Sequence, residues 1–191
     1  MTGLSPTLRI TDPAALKAVA HPLRGRLLGL LRLEGPATAS GLARRVGESS
    51  GSTSYHLRQL ARFGFVEETA DQPSGRERRW QATAPMSEYR AGDLSGTPDG
   101  RAALEGMQRA QLGWLARGLE SWLAASATGS GAWQDVAGLS DWVLRLRPAD
   151  AAALVEALVR VVAETAQRPA DDDEAELVAV HLALLPLRGL P

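Results

Sequence analysis

The chain contains no cysteine among its 191 residues. No disulfide can therefore hold the fold together, and no thiolate can bind a metal or act as a nucleophile. No apolar run approaches the roughly 18 residues that a membrane span needs, and the N-terminus lacks the pattern of a secretory signal. We expect a cytoplasmic protein that does not contact a membrane.

Lysine is almost missing as well, since 20 of the 21 basic residues are arginine. Such a bias is typical of a GC-rich genome, so part of the arginine content says nothing about function. The charge is unevenly distributed. Residues 1–83 hold 12 basic and 7 acidic side chains, net +5, whereas residues 84–191 hold 9 basic and 15 acidic ones, net −6. This split is typical of a nucleic-acid-binding half joined to a half that does not bind nucleic acid.

Four short helices are predicted ahead of residue 64 by capping residues, prolines and glycines. In chain order these signals are Asp12-Pro13, His21-Pro22, Gly35-Pro36, Thr38, Gly47, Ser49 or Ser50, and Gly64. The apolar positions expected to be buried in the second and third helices are Leu23, Leu27, Leu30, Leu31, Leu42, Ala43 and Val46.

The fourth helix, predicted over residues 50–63, is amphipathic in an unusual way. Its apolar stripe consists of Leu57, Leu60, Ala61 and Gly64 at helical spacing. Its opposite stripe consists of Tyr55, Arg58, Gln59 and Arg62, with no carboxylate. A face of this chemistry suits a polyanion that also presents base edges, and a helix about 20 Å long fits the major groove of duplex DNA.

A β-hairpin is predicted to follow this helix. Residues 65–68 and 79–83 are typical of two antiparallel strands, and residues 71–75 have turn chemistry. Arg76, Arg78 and Arg79 surround a single Glu77. Arginine in a hairpin suits the minor groove or the flanking backbone of DNA. Strand alternation requires one of Arg78 and Arg79 to turn inward.

These pieces occur in the order HPLRGRLLGLL from His21, TASGLARRVG from Thr38, STSYHLRQLARFGFVEE from Ser52 and SGRERRWQAT from Ser74. Over residues 12–83 the chain resembles the winged helix-turn-helix regulators of bacteria, most closely the arsenic-repressor (ArsR) type. The resemblance implies a transcription regulator of the repressor kind, a homodimer on a palindromic operator. Helix 50–63 would lie in the major groove, and the wing, residues 71–79, on the flanking groove or backbone.

The resemblance also implies which residues contact DNA. Arg44 and Arg45 precede the turn and would meet phosphates, and Arg24 is a weaker candidate for the same role. The full set of expected DNA contacts is Arg44, Arg45, Ser50, Gly51, Ser52, Ser54, Tyr55, His56, Arg58, Gln59, Arg62, Arg76, Arg78 and Arg79. Relatives that sense metals use cysteine, or Asp/His pairs on a long helix, and this chain has neither set. We expect no metal site, no metal-thiolate sensing and no cofactor.

Beyond the wing, residues 84–97 are expected to form a polar loop and Pro98 to about Ala124 a long helix. Leu104, Met107, Gln111, Trp114 and Gly118 recur at spacings of 3 and 4, which is typical of a helix that packs on another helix. Leu104, Met107, Gln111 and Trp114 are therefore predicted dimerisation residues. A Gly/Ser linker is expected at 126–132. Beyond it, strands at 141–146 and 177–185, a helix from Pro148 and an acidic loop at 168–176 complete a small lobe.

The predicted fold class is mainly α with small β elements. It comprises a winged helix-turn-helix domain at 1–97, a long dimerisation helix at 98–125, and a C-terminal α+β lobe at 133–191. The lobe serves dimerisation or binds a small-molecule effector. Trp114, Trp122, Trp133 and Trp142 would line an effector pocket or, more simply, belong to the core and the dimer interface.

Two other classes of function compete with DNA binding. A protein–protein adaptor would need exposed apolar anchors on the fourth helix, where only Tyr55 qualifies. An enzyme is not expected, because no nucleophile elbow, phosphate loop or dinucleotide fingerprint occurs. The acidic run at 171–176 lacks the glycine turn and distant glutamate of a calcium loop, so a solvated loop is expected there.

Overall fold

The computed structural model describes residues 7–70, 78–126, 133, 135–166, 176 and 178–187. The chain divides into two units, Met1–Trp114 and Leu115–Pro191. In chain order the elements are β1 (Thr7–Ile10), α1 (Pro13–Ala20), α2 (Pro22–Leu33), β2 (Ala37–Thr38), α3 (Ala39–Val46), α4 (Ser50–Arg62), β3 (Val66–Glu68), β4 (Arg79–Ala82), β5 (Met86–Tyr89), α5 (Ala91–Leu94), α6 (Pro98–Ser126) and α7 (Pro148–Ala166). The predicted fold class, mainly helical with small sheets, is confirmed.

Local capping chemistry determines where the first helices begin. Asp12, Thr38 and Ser49 each accept a backbone N–H in the first turn of α1, α3 and α4. Two of these bonds measure 3.1 Å and the bond to Asp12 measures 2.8 Å. Each bond satisfies an amide that the helix itself leaves unpaired, which confirms the predicted helix starts.

The turn between α3 and α4 is made by Gly47, which has a φ of 73°. A side chain in this left-handed region costs about 1 kcal/mol or more, so glycine is the favoured residue. The amide of Gly47 donates to the carbonyl of Ala43 and closes the end of α3. This geometry allows Leu42 and Val46 of α3 to be buried in the same core as α4.

The wing is the predicted antiparallel hairpin, extended by one strand. Its strand order is β2-β4-β3, and Val66 pairs with Ala82 and Glu68 with Trp80. The short strand β2 was not predicted, because two residues are too few for a periodic signal. Trp80 is buried and anchors the hairpin to the core. The wing tip predicted at 71–75 lies outside the described residues.

The polar loop predicted over residues 84–97 is wrong. Met86–Tyr89 forms β5 in parallel with β1, and Ala91–Leu94 forms the short helix α5. A strand of four residues shows little periodicity, and its partner lies about 80 positions earlier in the chain. Arg32 fastens this region to α2, since its Nε donates to the carbonyl of Ala84 at 3.0 Å. Burial lowers the pKa of Arg32.

The core of the first unit contains the predicted apolar stripes of α2, α3 and α4, together with residues of α6. The largest fully buried side chains are Phe65, Leu16, Leu27, Leu28, Leu57, Leu60, Val66 and Thr53.

Leu104 and Met107, predicted to meet a second helix, are buried in the core of their own unit. The Gln111 side chain accepts from the Tyr89 hydroxyl at 2.9 Å, and Trp114 packs beside Gly25. A dimerisation role for these residues stays a prediction.

The second unit contains the helix predicted from Pro148, now α7. The strands predicted at 141–146 and 177–185 are wrong for the part that the structure describes, because residues 139–147 and 178–187 are irregular. Alternating side chains make a strand possible, but a strand exists only with a hydrogen-bonded neighbour. The described residues do not include Leu177, residues 127–132 of the predicted linker or residues 168–175 of the predicted acidic loop. No helix among the described residues is both long and apolar enough to cross a membrane.

Candidate nucleic-acid interface

The orientation of α4 follows from its buried side. Leu57 and Leu60 are fully buried, as predicted, and Ala61 packs against the same core. Thr53, one turn before Leu57, is also fully buried, and its hydroxyl has no hydrogen-bond partner among the described residues. Thr53 was not among the predicted buried positions, although it lies four residues before Leu57. These four positions direct the opposite side of α4 away from the core.

That opposite side presents cationic and polar groups. Tyr55 is 53% exposed, Arg58 and Arg62 are exposed, and Gln59 is half-buried. The Arg62 guanidinium lies 5.7 Å from the centre of the Phe63 ring. Neither arginine forms an ion pair within the described part of the chain. The face can therefore meet phosphates or base edges without first breaking a salt bridge.

The first turn of α4 has amides available for an anion. The Ser49 hydroxyl accepts from the Ser52 amide, and the Ser49 carbonyl accepts from the Thr53 amide at 3.0 Å. The amides of Ser50 and Gly51 precede the first intrahelical bond, and both residues are exposed. Ser52 and Ser54 are half-buried. A phosphate at this helix start would meet free N–H groups and the positive end of the helix dipole.

His56, which was predicted to contact DNA, packs beside a second histidine. The ring centres of His21 and His56 lie 4.8 Å apart, and the Tyr55 ring meets His56 edge-on at 5.2 Å. The Nδ1 atom of His56 is buried and has no partner among the described residues. Burial lowers the pKa of both histidines, and the nearby Arg24 lowers each further, while Glu48 raises that of His56. A DNA contact by His56 stays a prediction.

This histidine pair predicts a loss of stability in mild acid. Because folding lowers both pKa values from about 6.5, the unfolded chain binds more protons just below that pH. The free energy of unfolding should therefore fall as the pH drops through 6.5 toward the lowered values. Denaturant titrations on both sides of pH 6.5 measure this decrease.

The double variant His21→Gln and His56→Gln should show a smaller decrease than the wild type. His181→Gln is the matched control, since that histidine is exposed and lies in the second unit. An identical pH dependence in the double variant and the wild type would contradict the assignment.

The arginines around the turn divide into two groups. Arg44 is exposed and forms no ion pair among the described residues. Arg45 pairs with Glu34 in an exposed salt bridge, which is worth only about 0–1 kcal/mol and can exchange for a phosphate. Arg24, the weaker candidate, donates to the carbonyls of Lys17 and Ala18. Its guanidinium therefore holds the end of α1.

The two described arginines of the wing differ, as strand alternation predicted. Arg79 is half-buried, and its Nε donates to the carbonyl of Pro36 at 3.1 Å. Arg78 is exposed and pairs with Glu68 on the neighbouring strand. Arg78 is thus the described wing arginine best placed to meet a ligand. Arg76 lies outside the described residues.

Comparison with known proteins agrees with this geometry. Residues 19–69, which include α2, α3, α4 and β3, match the model of a helix-turn-helix domain. Residues 19–69 therefore form a helix-turn-helix domain, and such a domain, with the exposed cationic face of α4, is typical of DNA-binding regulators.

No curated protein sequence matches this chain. Among solved structures, it is similar to the crystal structure of RV1404 from Mycobacterium tuberculosis, with 16% sequence identity and a TM-score of 0.32. The alignment covers 83% of this chain and 85% of that one. A similarity this weak identifies neither a fold nor a function for this chain.

Proposed function

We propose that this protein is a sequence-specific transcription regulator of the ArsR type that binds duplex DNA as a homodimer in the bacterial cytoplasm. One observation carries the proposal: the outward face of α4 presents Arg58, Arg62 and Gln59 with no carboxylate. Phosphates supply most of the affinity of such a face, and base edges supply its specificity.

The polar groups of α4 have chemically matched targets on duplex DNA. Arginine can donate two hydrogen bonds to guanine, and glutamine can pair with adenine, each good pair giving ~1–3 kcal/mol of discrimination. Arg58 and Gln59 take these base-reading roles. Arg62 lies at the last position of α4 and takes a phosphate. The amides of Ser50 and Gly51 hold a second phosphate at the opposite end of the helix.

The flanking elements add contacts that position the protein without reading sequence. Arg44, on the last turn of α3, faces the phosphates that this helix crosses in helix-turn-helix complexes. Arg78 on the wing exchanges its bond to Glu68 for a phosphate or for the narrow minor groove. The adaptor alternative has weaker support, because an adaptor would need exposed apolar anchors. Among the described residues of α4, Tyr55 is the one large apolar side chain that is exposed.

A homodimer would place two α4 helices about one turn of DNA apart, roughly 34 Å. The test is selection of bound sequences from a random duplex library by the purified full-length protein at physiological salt. We expect an enriched imperfect palindrome with half-sites separated by roughly one helical turn. No enrichment, combined with no salt-dependent DNA binding, would contradict the proposal and favour the adaptor function.

A further inference from the structure

The second unit exposes far more apolar surface than an isolated soluble unit normally does. Sixteen large apolar side chains between residues 136 and 187 are 39–82% exposed. The helix α7 has no buried residue, and Leu158, Val159, Val161 and Val162 on it are all exposed. Monomeric proteins rarely expose contiguous apolar patches above a few hundred Å². So many exposed apolar side chains among the described residues are typical of a partner-binding surface.

The two irregular segments of this unit have the side-chain pattern of strands without a pairing neighbour. Trp142, Leu144 and Leu146 alternate along one segment, and Val178, Val180, Leu182 and Leu184 along the other. All seven are exposed, and residues 139–147 and 178–187 form no ladder with any described residue. Unpaired backbone with an apolar alternating face is a template for pairing with another chain.

Charge favours a second copy of the same chain as that partner. Residues 178–187 contain no Asp, Glu, Lys or Arg, so two copies can lie side by side without like-charge repulsion. The sixteen exposed side chains also offer more surface than the ~800 Å² per partner that a stable dimer buries. Obligate homodimer interfaces are apolar and resemble a core cut in half.

Two of the four predicted dimerisation residues of α6 are already buried within the first unit. Leu104 and Met107 are 7% and 8% exposed because they belong to the core of the first unit. A second chain could reach them only if that core opened. Leu112, which is 65% exposed, is an apolar side chain that α6 still offers in the first unit.

We propose that the second unit is the dimerisation surface, in which α7 and residues 178–187 pack against and pair with the same segments of a second copy. The interface is isologous, so each segment meets its own counterpart or exchanges with it about a two-fold axis. The inference deepens the proposed function by locating the homodimer contact. It does not require that the protein bind DNA.

Oligomeric mass, measured by light scattering on the full chain at micromolar concentration without DNA, tests this surface. The wild type should have twice the chain mass of 20.3 kDa. Leu158→Glu on α7 and Leu182→Glu in the extended segment should each raise the dimer dissociation constant roughly 30-fold or more, as for a central interface residue. Two controls should stay dimeric: Ala153→Glu, exposed on the opposite side of α7, and Leu112→Glu on α6.

Three results would overturn the inference: a wild type with the mass of one chain, both test variants remaining dimeric, or Leu112→Glu alone separating the chains. Binding to a half-site duplex separates this failure from failure of the proposed function. Monomeric variants that still bind the half-site support both proposals. If the variants are monomeric but even the wild type binds no DNA, the proposed interface is supported and the proposed DNA-binding function is refuted.

A second experiment tests the same interface without a charged substitution in the second unit. Because the chain has no cysteine, Leu182→Cys can carry a single pyrene label. Excimer emission from the labelled protein is expected, since the proposed pairing brings residues 178–187 of two copies together. Ala102→Cys, exposed on α6, should give none. Excimer emission from position 102 and not from position 182 would contradict the proposal.

Discussion

Replacing Arg58 and Arg62 together with alanine is expected to weaken operator binding at least about 100-fold, because a base contact worth ~1–3 kcal/mol and a phosphate contact are lost together. Both side chains are exposed and form no ion pair among the described residues. Their removal leaves Leu57 and Leu60 in place, so the free energy of unfolding should change by less than about 0.5 kcal/mol. Fluorescence anisotropy with the selected operator measures the affinity.

The single variants should separate two kinds of contact. Arg62→Ala should reduce the slope of log affinity against log salt by about 1 and weaken all sequences equally. Arg58→Ala should relax the preference at one base position. The control is Arg109→Ala with Arg117→Ala, which also removes two positive charges, from the exposed surface of α6, although Arg109 is paired with Glu105. Equal losses in both double variants would mean that net charge, not the face of α4, governs binding.

Gly100→Ala is expected to destabilise the first unit by about 3 kcal/mol, near the upper end for overpacking of a core. Gly100 is buried in the first turn of α6, where its amide donates to the Thr97 hydroxyl at 3.0 Å. An added Cβ would lie 1.7 Å from the carbonyl oxygen of Leu94. Since that atom belongs to the backbone of α5, the turn between α5 and α6 must shift. Thermal unfolding measures the loss.

Gly106→Ala on the same helix is the matched control, and it is expected to raise the free energy of unfolding. A Cβ at Gly106 would meet no atom within 4 Å, and the residue is exposed in the helix. Alanine reduces the freedom of the unfolded chain there, so stability should rise by about 0.5–1 kcal/mol. Equal effects of the two substitutions would show that packing against Leu94 does not constrain α6.

Local sequence signals predicted where the first four helices begin and end, and which face of α4 points outward. The caps at Asp12, Thr38 and Ser49 act over two or three residues, so their signal is complete in a short window of sequence. The stripe of Leu57 and Leu60 is a helical repeat, and it directs Arg58 and Arg62 outward whatever the rest of the fold does. The candidate interface could therefore be predicted before the structure.

The contacts between distant segments became visible in the three-dimensional fold and had no local signal in the sequence. The pairing of β1 with β5, the contact of His56 with His21 and the burial of Leu104 in its own unit join residues far apart in the chain. Spacing along a helix shows which residues share a face, but not which partner covers that face. The alternating residues 178–187 illustrate the same limit, since a pattern suited to a strand forms none without a neighbour to accept its hydrogen bonds.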